Sequence, residues 1–384
     1  MRFDLKDNKL TLYFEGEINS TNSDAVEKDV EKTLEGQKYS SLVLNFEKLK
    51  YLSSAGLRVV LKLKKLCNDV SIVDASFDVY DILQMTGFTE IIPTKRALRT
   101  ISIKGAEVIG DGYFSTVYRI EKDMIIKVFE RTSDPEQIER ELRLAKEAFV
   151  LGVPTAISYD IVRVDDGKLG VRFEMLDCMS LRDAFRDQPD RYDELIDRYV
   201  ALLKKINTTD CKDPTIPDIR QNFLKKVDEI KEFLDEKHYR KAKALIEGIP
   251  ESMNFVHGDC HFKNIMVQGD DFLLIDMDTL SRGEPIFELA TLRAPYVAFE
   301  EDDPGNNEKF LGLSADMCKK LFNDIVEKYY GKKDQAIKDK IALVCYIHMV
   351  WWNKVNTPDN QKRLEGCRSR LIELLDKYDD VKIG

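Results

Sequence analysis

No CxxC pair occurs in this chain, and its seven cysteines (Cys67, Cys178, Cys211, Cys260, Cys318, Cys345 and Cys367) are odd in number. A disulfide framework and a cysteine zinc site are thereby disfavoured, and a reducing compartment is expected. Long hydrophobic runs are also missing. The longest, 341–352, contains His348 and is about twelve residues, against the ~20 needed to span a bilayer, so it reads as a buried helix. The opening MRFDLKDNKL lacks the apolar stretch of a signal peptide. There is no basic excess: 59 Lys and Arg face 69 Asp and Glu, for a net charge of -10. A nucleic-acid binder needs a basic face to neutralise phosphates, so that class is disfavoured. Repeats and low-complexity tracts are absent too. A soluble, cytoplasmic protein is expected, with neither nucleic acid nor membrane as partner.

What remains is ample for two or three domains: 384 residues, of which 43% are apolar. Residues 8–18 (NKLTLYFEGEI) alternate as a half-buried strand does, and Val26, Val30 and Leu34 follow at helical spacing. SLVLNF at 41–46, a helix over 57–66, a short strand at 71–73 and a helix over 79–85 complete a small α/β unit. The segment 93–104, PTKRALRTISIK, breaks the pattern, so the expected division is an α/β domain at 1–92 and a linker at 93–104. A β-rich small lobe at 105–178 and a helical large lobe at 179–384 follow, an α+β two-lobed architecture. Helices are expected at 135–152, 192–206, 219–247, 315–330 and 338–354, with a hairpin pairing 265–267 with 272–275. A cleft between two such lobes is a natural nucleotide site.

Four elements carry the chemistry. IGDGYFSTV at 109–117 follows a strand, and Gly110 and Gly112 would let backbone amides approach phosphate oxygens, although GxG alone is equally a hairpin turn. Lys127 stands in the apolar strand MIIKVF, where a charge needs a partner; Glu139 and Glu141 on the following helix both offer one. Its plainer reading is an edge-strand lysine in solvent. FVHGDCHFKNI at 255–265 is the sharpest signal. Asp259 can accept the proton of an attacking hydroxyl, Asn264 five residues on can give an oxygen to Mg²⁺, and His257 can brace the loop. FLLIDMD at 272–278 then supplies Asp276 as a chelator of Mg²⁺ bridging the β- and γ-phosphates of ATP, with Asp278 on the same side by strand periodicity.

HGDCHFKN with LLIDMD resembles the signature of aminoglycoside phosphotransferase and choline kinase-like enzymes. GAEVIGDGYFSTVYRI…IIKVF and ELRLAKEAFVLGVPTA are similar to the bacterial members, over about 105–380. The resemblance implies the protein-kinase-like fold and an ATP- and Mg²⁺-dependent phosphotransferase acting on an alcohol group. It makes Lys127 the phosphate-holding lysine, Glu141 its partner, Asp259 the catalytic base, and Asn264 and Asp276 the metal ligands. Strand 171–175 would lead to a hinge where the backbone of Glu174 to Leu176 meets the adenine.

Residues 1–92 resemble a STAS domain, the fold of anti-sigma-factor antagonists, through LVLNFEKLKYLSSAGLRVVLKLKK and DVYDILQMTGFTEII. The resemblance implies a protein-docking module with a phosphorylatable hydroxyl at a helix N-terminus. Here that means Ser54, with Ser53 as second choice; Ser53 stands where the family usually has an acid, and Ala55 where it has a second hydroxyl. Both serines can equally be simple caps.

After Asp278 the chain enters a helix with no long activation segment, which points away from peptide acceptors and toward a small molecule. The acidic run EEDD at 300–303 reads first as solvated loop and second as an attraction for an amine. Tyr329, Tyr330, Trp351 and Trp352 read first as core and second as a cage for a quaternary ammonium. Two alternatives stand beside the small-molecule kinase: a nucleotide-binding signalling module, and a kinase acting on a STAS-domain serine.

Overall fold

The computed structural model describes residues 1–111, 115–130, 134–176, 178–211, 213 and 215–378. They divide into two compact units, Met1–Ser102 with Val162–Asp165, and Ile103–Ile161 with the rest of the chain.

The first unit is a five-stranded sheet in the order β1-β2-β3-β4-β5. Its strands are β1 (Arg2–Lys6), β2 (Lys9–Ile18), β3 (Ser41–Leu52), β4 (Val70–Ala75) and β5 (Thr94–Arg96). β1 is antiparallel to β2, and the remaining pairs are parallel. Alternation along β2 sends Leu10, Leu12 and Phe14 inward. There they meet Val30 of α1 (Ser23–Leu34), Val60 and Leu63 of α2 (Ser54–Leu66), and Val79 and Leu83 of α3 (Phe77–Met85) in one core. The stretch 93–104, read from sequence as a linker, holds β5 and a further strand, β6 (Arg99–Ile101), parallel to Val162–Val164.

The small lobe of the second unit orders its strands as β10-β11-β9-β8-β7, namely β7 (Glu107–Asp111), β8 (Ser115–Glu121), β9 (Met124–Phe129), β10 (Ser158–Val164) and β11 (Leu169–Glu174). Helix α5 (Pro135–Val150) turns Ile138, Glu141, Leu144, Ala145 and Ala148 inward and leaves Glu139 exposed. In the large lobe, β12 (Met179–Ser180), β14 (Ile265–Gln268) and β15 (Asp271–Leu274) form a small sheet, and β13 (Phe255–Val256) pairs with β16 (Ser281–Arg282). Helices α6 (Leu181–Asp187), α7 (Tyr192–Thr208), α10 (Pro285–Arg293), α12 (Asn306–Leu311), α13 (Ala315–Tyr330), α14 (Gln335–Asn356) and α15 (Gln361–Lys377) share one core, with α14 packed against α10 and α15. The apolar run at 341–352 lies in α14, with Ile341 to Ile347 buried, as a core helix requires. Among the described residues no helix is long and apolar enough to cross a membrane.

The single helix expected over 219–247 is in fact two, α8 (Ile219–Glu229) and α9 (Glu236–Glu247), separated by a 3-10 turn. Asp235 causes the break: its side chain accepts the His238 N–H and opens α9 as an N-cap. Among the described residues Cys67, Cys211, Cys260, Cys318, Cys345 and Cys367 form no disulfide.

Candidate active site

Lys127 lies on β9, flanked by β8 and β11, so the edge-strand reading does not hold. Its ammonium is 2.7 Å from Glu141 Oε1 and 2.7 Å from Asp276 Oδ1. Burial alone would lower its pKa, but Asp276, Glu141 and Asp278 outweigh that and hold the charge. Of the two glutamates left open by the sequence, α5 points Glu141 at the lysine.

The 255–265 loop is wound around its own backbone. His257 accepts the Asp259 N–H through Nδ1 at 3.3 Å, which leaves Nε2–H to donate to the Ile275 carbonyl at 3.2 Å. Burial lowers the pKa of this imidazole to about 4, so it is a neutral brace. Gly258 has φ +83°, and a Cβ there would come 3.1 Å from the Thr279 carbonyl. That close approach lets Thr279 Oγ1 donate to the His257 carbonyl at 2.6 Å. Asn264 Nδ2 donates to the carbonyl and to Oδ2 of Asp259, at 3.0 and 3.1 Å, and its own carbonyl accepts the Ile275 N–H. The amide oxygen of Asn264 is thereby the free end of that side chain. Beneath the loop, Glu288 of α10 is fully buried and accepts the N–H groups of His257 (2.6 Å) and Gly258 (3.2 Å).

β15 ends at Leu274, so strand periodicity does not place Asp278. Asp276 instead takes the left-handed conformation, φ +65°, unusual for a non-glycine residue. That turn aims Asp276 at Lys127 and brings Asp278 into hydrogen-bonding reach of it. Burial raises the Asp276 carboxyl, but Lys127 overrides this and holds it below the usual range. Burial and the Asp276 charge push Asp278 up to about 7. Asp259 is raised by burial, then by Asp276 and Asp278, although 44% of its side-chain surface still opens to the cleft. Three carboxylates, of Glu141, Asp276 and Asp278, thus converge on one lysine, Asp259 stands beside two of them, and the excess negative charge suits a divalent cation. Among the described residues no group of three or more His, Cys, Asp or Glu side chains could hold a metal ion alone. Two protein oxygens completed by phosphate and water match the way Mg²⁺ is usually held.

Other expected positions are less telling. Gly110 sits in β7 beside Val117, and Gly112 lies outside the described residues. At the hinge, the Glu174 N–H is committed to Ile157 and its carboxylate to the Ile157 N–H. The Leu176 N–H has no acceptor among the described residues, and its carbonyl takes the Cys178 N–H. In the first unit Ser53 is the N-cap of α2, accepting from Gly56 N–H, while Ser54 is exposed at the first helical position. The acidic run is spent internally: Glu300 accepts from Gly305 and Asn307, Glu301 meets Arg293, and Asp302 meets Arg370. The aromatic residues are dispersed rather than caged. Trp351 bonds Glu229, Trp352 packs on Phe299, and Tyr329 bonds Asn207. Sequence reading missed Glu288 and Thr279; a lone acid inside the apolar PIFELATL was the available sign of the former.

Comparison with known proteins gives the family and the fold. A family model described as "Phosphotransferase enzyme family" matches residues 105–312, and a STAS-domain model matches 2–101. An anti-sigma F factor antagonist of Paenibacillus polymyxa is 27% identical over 88 residues, 22% of this chain and 75% of that protein. A thermostable mutant of aminoglycoside phosphotransferase APH(4)-Ia, solved with ADP and hygromycin B, superposes with a TM-score of 0.52 at 10% identity, over 77% of this chain and 98% of that one. A second such complex, with AMP-PNP and hygromycin B, gives 0.51 at 11% identity over 71% and 93%. At that identity the likeness speaks for the fold, which is the two-lobed kinase-like one. With over half its length inside the family match, the chain belongs to the phosphotransferase enzyme family and carries a STAS domain ahead of it.

Proposed function

We propose that the second unit transfers the γ-phosphoryl group of ATP, with Mg²⁺, to a hydroxyl of a small molecule. The observation that carries this is the convergence of Asp259, Asn264 and Asp276 opposite the Lys127–Glu141 pair. The nucleotide complexes of the APH(4)-Ia mutant support a nucleotide in the corresponding cleft. Lys127, oriented by Glu141, holds phosphate oxygens, and Gly110, Gly112, Glu174 and Leu176 lend backbone to the nucleotide. Mg²⁺, when bound to Asn264 and Asp276, offsets charge on the phosphates. Asp259 holds the acceptor hydroxyl in line and takes its proton as the new P–O bond forms; the β–γ bridging P–O bond breaks, and ADP leaves. Catalysis here is mostly positioning, which fits a loop whose members are fixed by buried hydrogen bonds.

The STAS domain, 1–92, is read as a docking or regulatory module, with Ser54 as its phosphorylation position and Ser53 as helix cap. The kinase-like lobes are taken as 105–178 and 179–384. Asp259→Asn keeps the shape and removes the base. Turnover against a panel of hydroxyl compounds should drop by ~10²–10⁴ with MgADP affinity retained. Undiminished phosphate transfer in that variant would remove Asp259 from the mechanism.

A further inference from the structure

The cleft is electrostatically two-sided. On the side of Lys127 the carboxylates outnumber the cations. On the other side of Asp259 the balance reverses. Lys263, on the same loop, has no carboxylate within salt-bridge reach among the described residues, and it lies 4.3 Å from the centre of the Phe310 ring. The charges that act on it are Arg182, which repels it, and Asp259, which attracts it. Arg182 of α6 lies beside Gly312, at the end of the helix that bears Phe310. Its single carboxylate partner among the described residues, Asp183, is shared with Arg186 and Ser180. His261 meets the same ring edge-on at 5.4 Å, with Nε2 3.5 Å from Asp259 Oδ1. Its Nδ1 is buried and has no hydrogen-bond partner among the described residues. Phe310 is 38% exposed, so this wall borders open space.

A half-buried lysine with no salt-bridge partner among the described residues costs free energy unless something more answers its charge. The groups that the sequence offers for an amine are engaged elsewhere in the fold: Glu300, Glu301 and Asp302 in hydrogen bonds and ion pairs, and the four large aromatic residues in contacts of their own. We infer that Lys263, Arg182 and His261, with Phe310 as their wall, form an acceptor subsite beside Asp259 for a hydroxyl compound that carries an anionic group, a carboxylate or a phosphate monoester. This rests on the phosphotransferase reading above and names its substrate class. The anion pairs with Lys263 and Arg182, which holds the molecule so that its hydroxyl reaches Asp259. Neutral His261 is a positioning residue, donating or accepting one hydrogen bond at the same molecule.

The test uses the full chain saturated with MgADP and titrates inorganic sulfate by calorimetry at constant ionic strength. Sulfate should bind, and Lys263→Met should weaken it roughly tenfold, the worth of one charge-assisted hydrogen bond. Lys263→Arg, which keeps the charge, should restore most of the affinity. Equal sulfate affinity in wild type and Lys263→Met, or MgADP binding with no sulfate binding, overturns the subsite. Loss of sulfate binding when Mg·AMP-PNP replaces MgADP also overturns it, because the lysine would then serve the γ-phosphate. Failure of MgADP itself to bind refutes the phosphotransferase reading, and this inference with it. Acetate and methyl phosphate, titrated in the same way, decide between a carboxylate and a phosphate monoester by which binds more tightly.

Discussion

Glu288 is the residue whose replacement most directly tests how the catalytic loop is held. Its carboxylate is wholly buried and receives two backbone N–H groups of the loop. Burial outweighs those bonds and lifts its pKa from 4.5 to about 7. Because the folded-state value lies above the unfolded one, the folded protein holds this proton more tightly. The stability tied to protonated Glu288 is therefore present at about pH 4.5 and lost as pH rises through about 7. Between about pH 5 and about pH 8 the group alone should cost the wild type roughly 2–3 kcal/mol. Glu288→Gln removes that titration and, like the protonated acid, turns a donor toward one loop N–H, so it mimics the protonated form. The variant should thus be close to wild type at about pH 5 and ahead of it by roughly 2–3 kcal/mol at about pH 8. Comparing variant with wild type cancels the buried histidines, which titrate in the opposite sense. Urea unfolding followed by tryptophan fluorescence is the assay, since both tryptophans, Trp351 and Trp352, stand in α14 and report the kinase-like unit. A stability difference independent of pH would show that Glu288 does not titrate as its burial dictates. No difference at all would show that the loop does not hang on it.

Gly258→Ala places a methyl group 3.1 Å from the Thr279 carbonyl at φ +83°. It should cost about 1–3 kcal/mol in the same urea assay, while Gly269→Ala, also at positive φ but with nothing within 4 Å, should cost less. Ser53→Ala removes the α2 cap, worth about 1 kcal/mol. The Gly56 amide, which donates to Ser53 Oγ, should then exchange its hydrogen roughly fivefold faster. Ser54→Ala, at an exposed position, should leave that exchange unchanged.

Where local periodicity fixes an element, the sequence was readable. β2, α2, α5 and the buried α14 follow from apolar spacing, while Lys127, Asp259 and Asn264 are singled out by short motifs, and their roles stand as proposals. The misreadings share a cause. RFDLK alternates polar and apolar residues, but at five residues it is short and it is exposed along its whole length; the further pointer to β1 is its turn, Asp7-Asn8, with φ of 51° and 60°. The break between α8 and α9 is one capping aspartate in an otherwise continuous helical pattern. The left-handed Asp276 is invisible to a period-2 reading, because a strand pattern continues in the letters after the backbone has left the sheet.

The charges of the cleft show the limit more sharply. Lys127 and Asp276 are 149 residues apart in the chain, and no window of sequence can hold both. The acidic run at 300–303 is conspicuous in the letters, yet folding consumes it in caps and ion pairs. Lys263 is inconspicuous in the letters, one lysine among many, yet folding leaves it without a salt-bridge partner among the described residues, with only the more distant charge of the proposed base Asp259 to answer it. A charge that a fold neutralises says little about a ligand, whereas a half-buried charge that it leaves unanswered carries a standing cost. The acceptor is for that reason better sought from Lys263 than from the acidic run, and the sign it implies for the substrate is opposite.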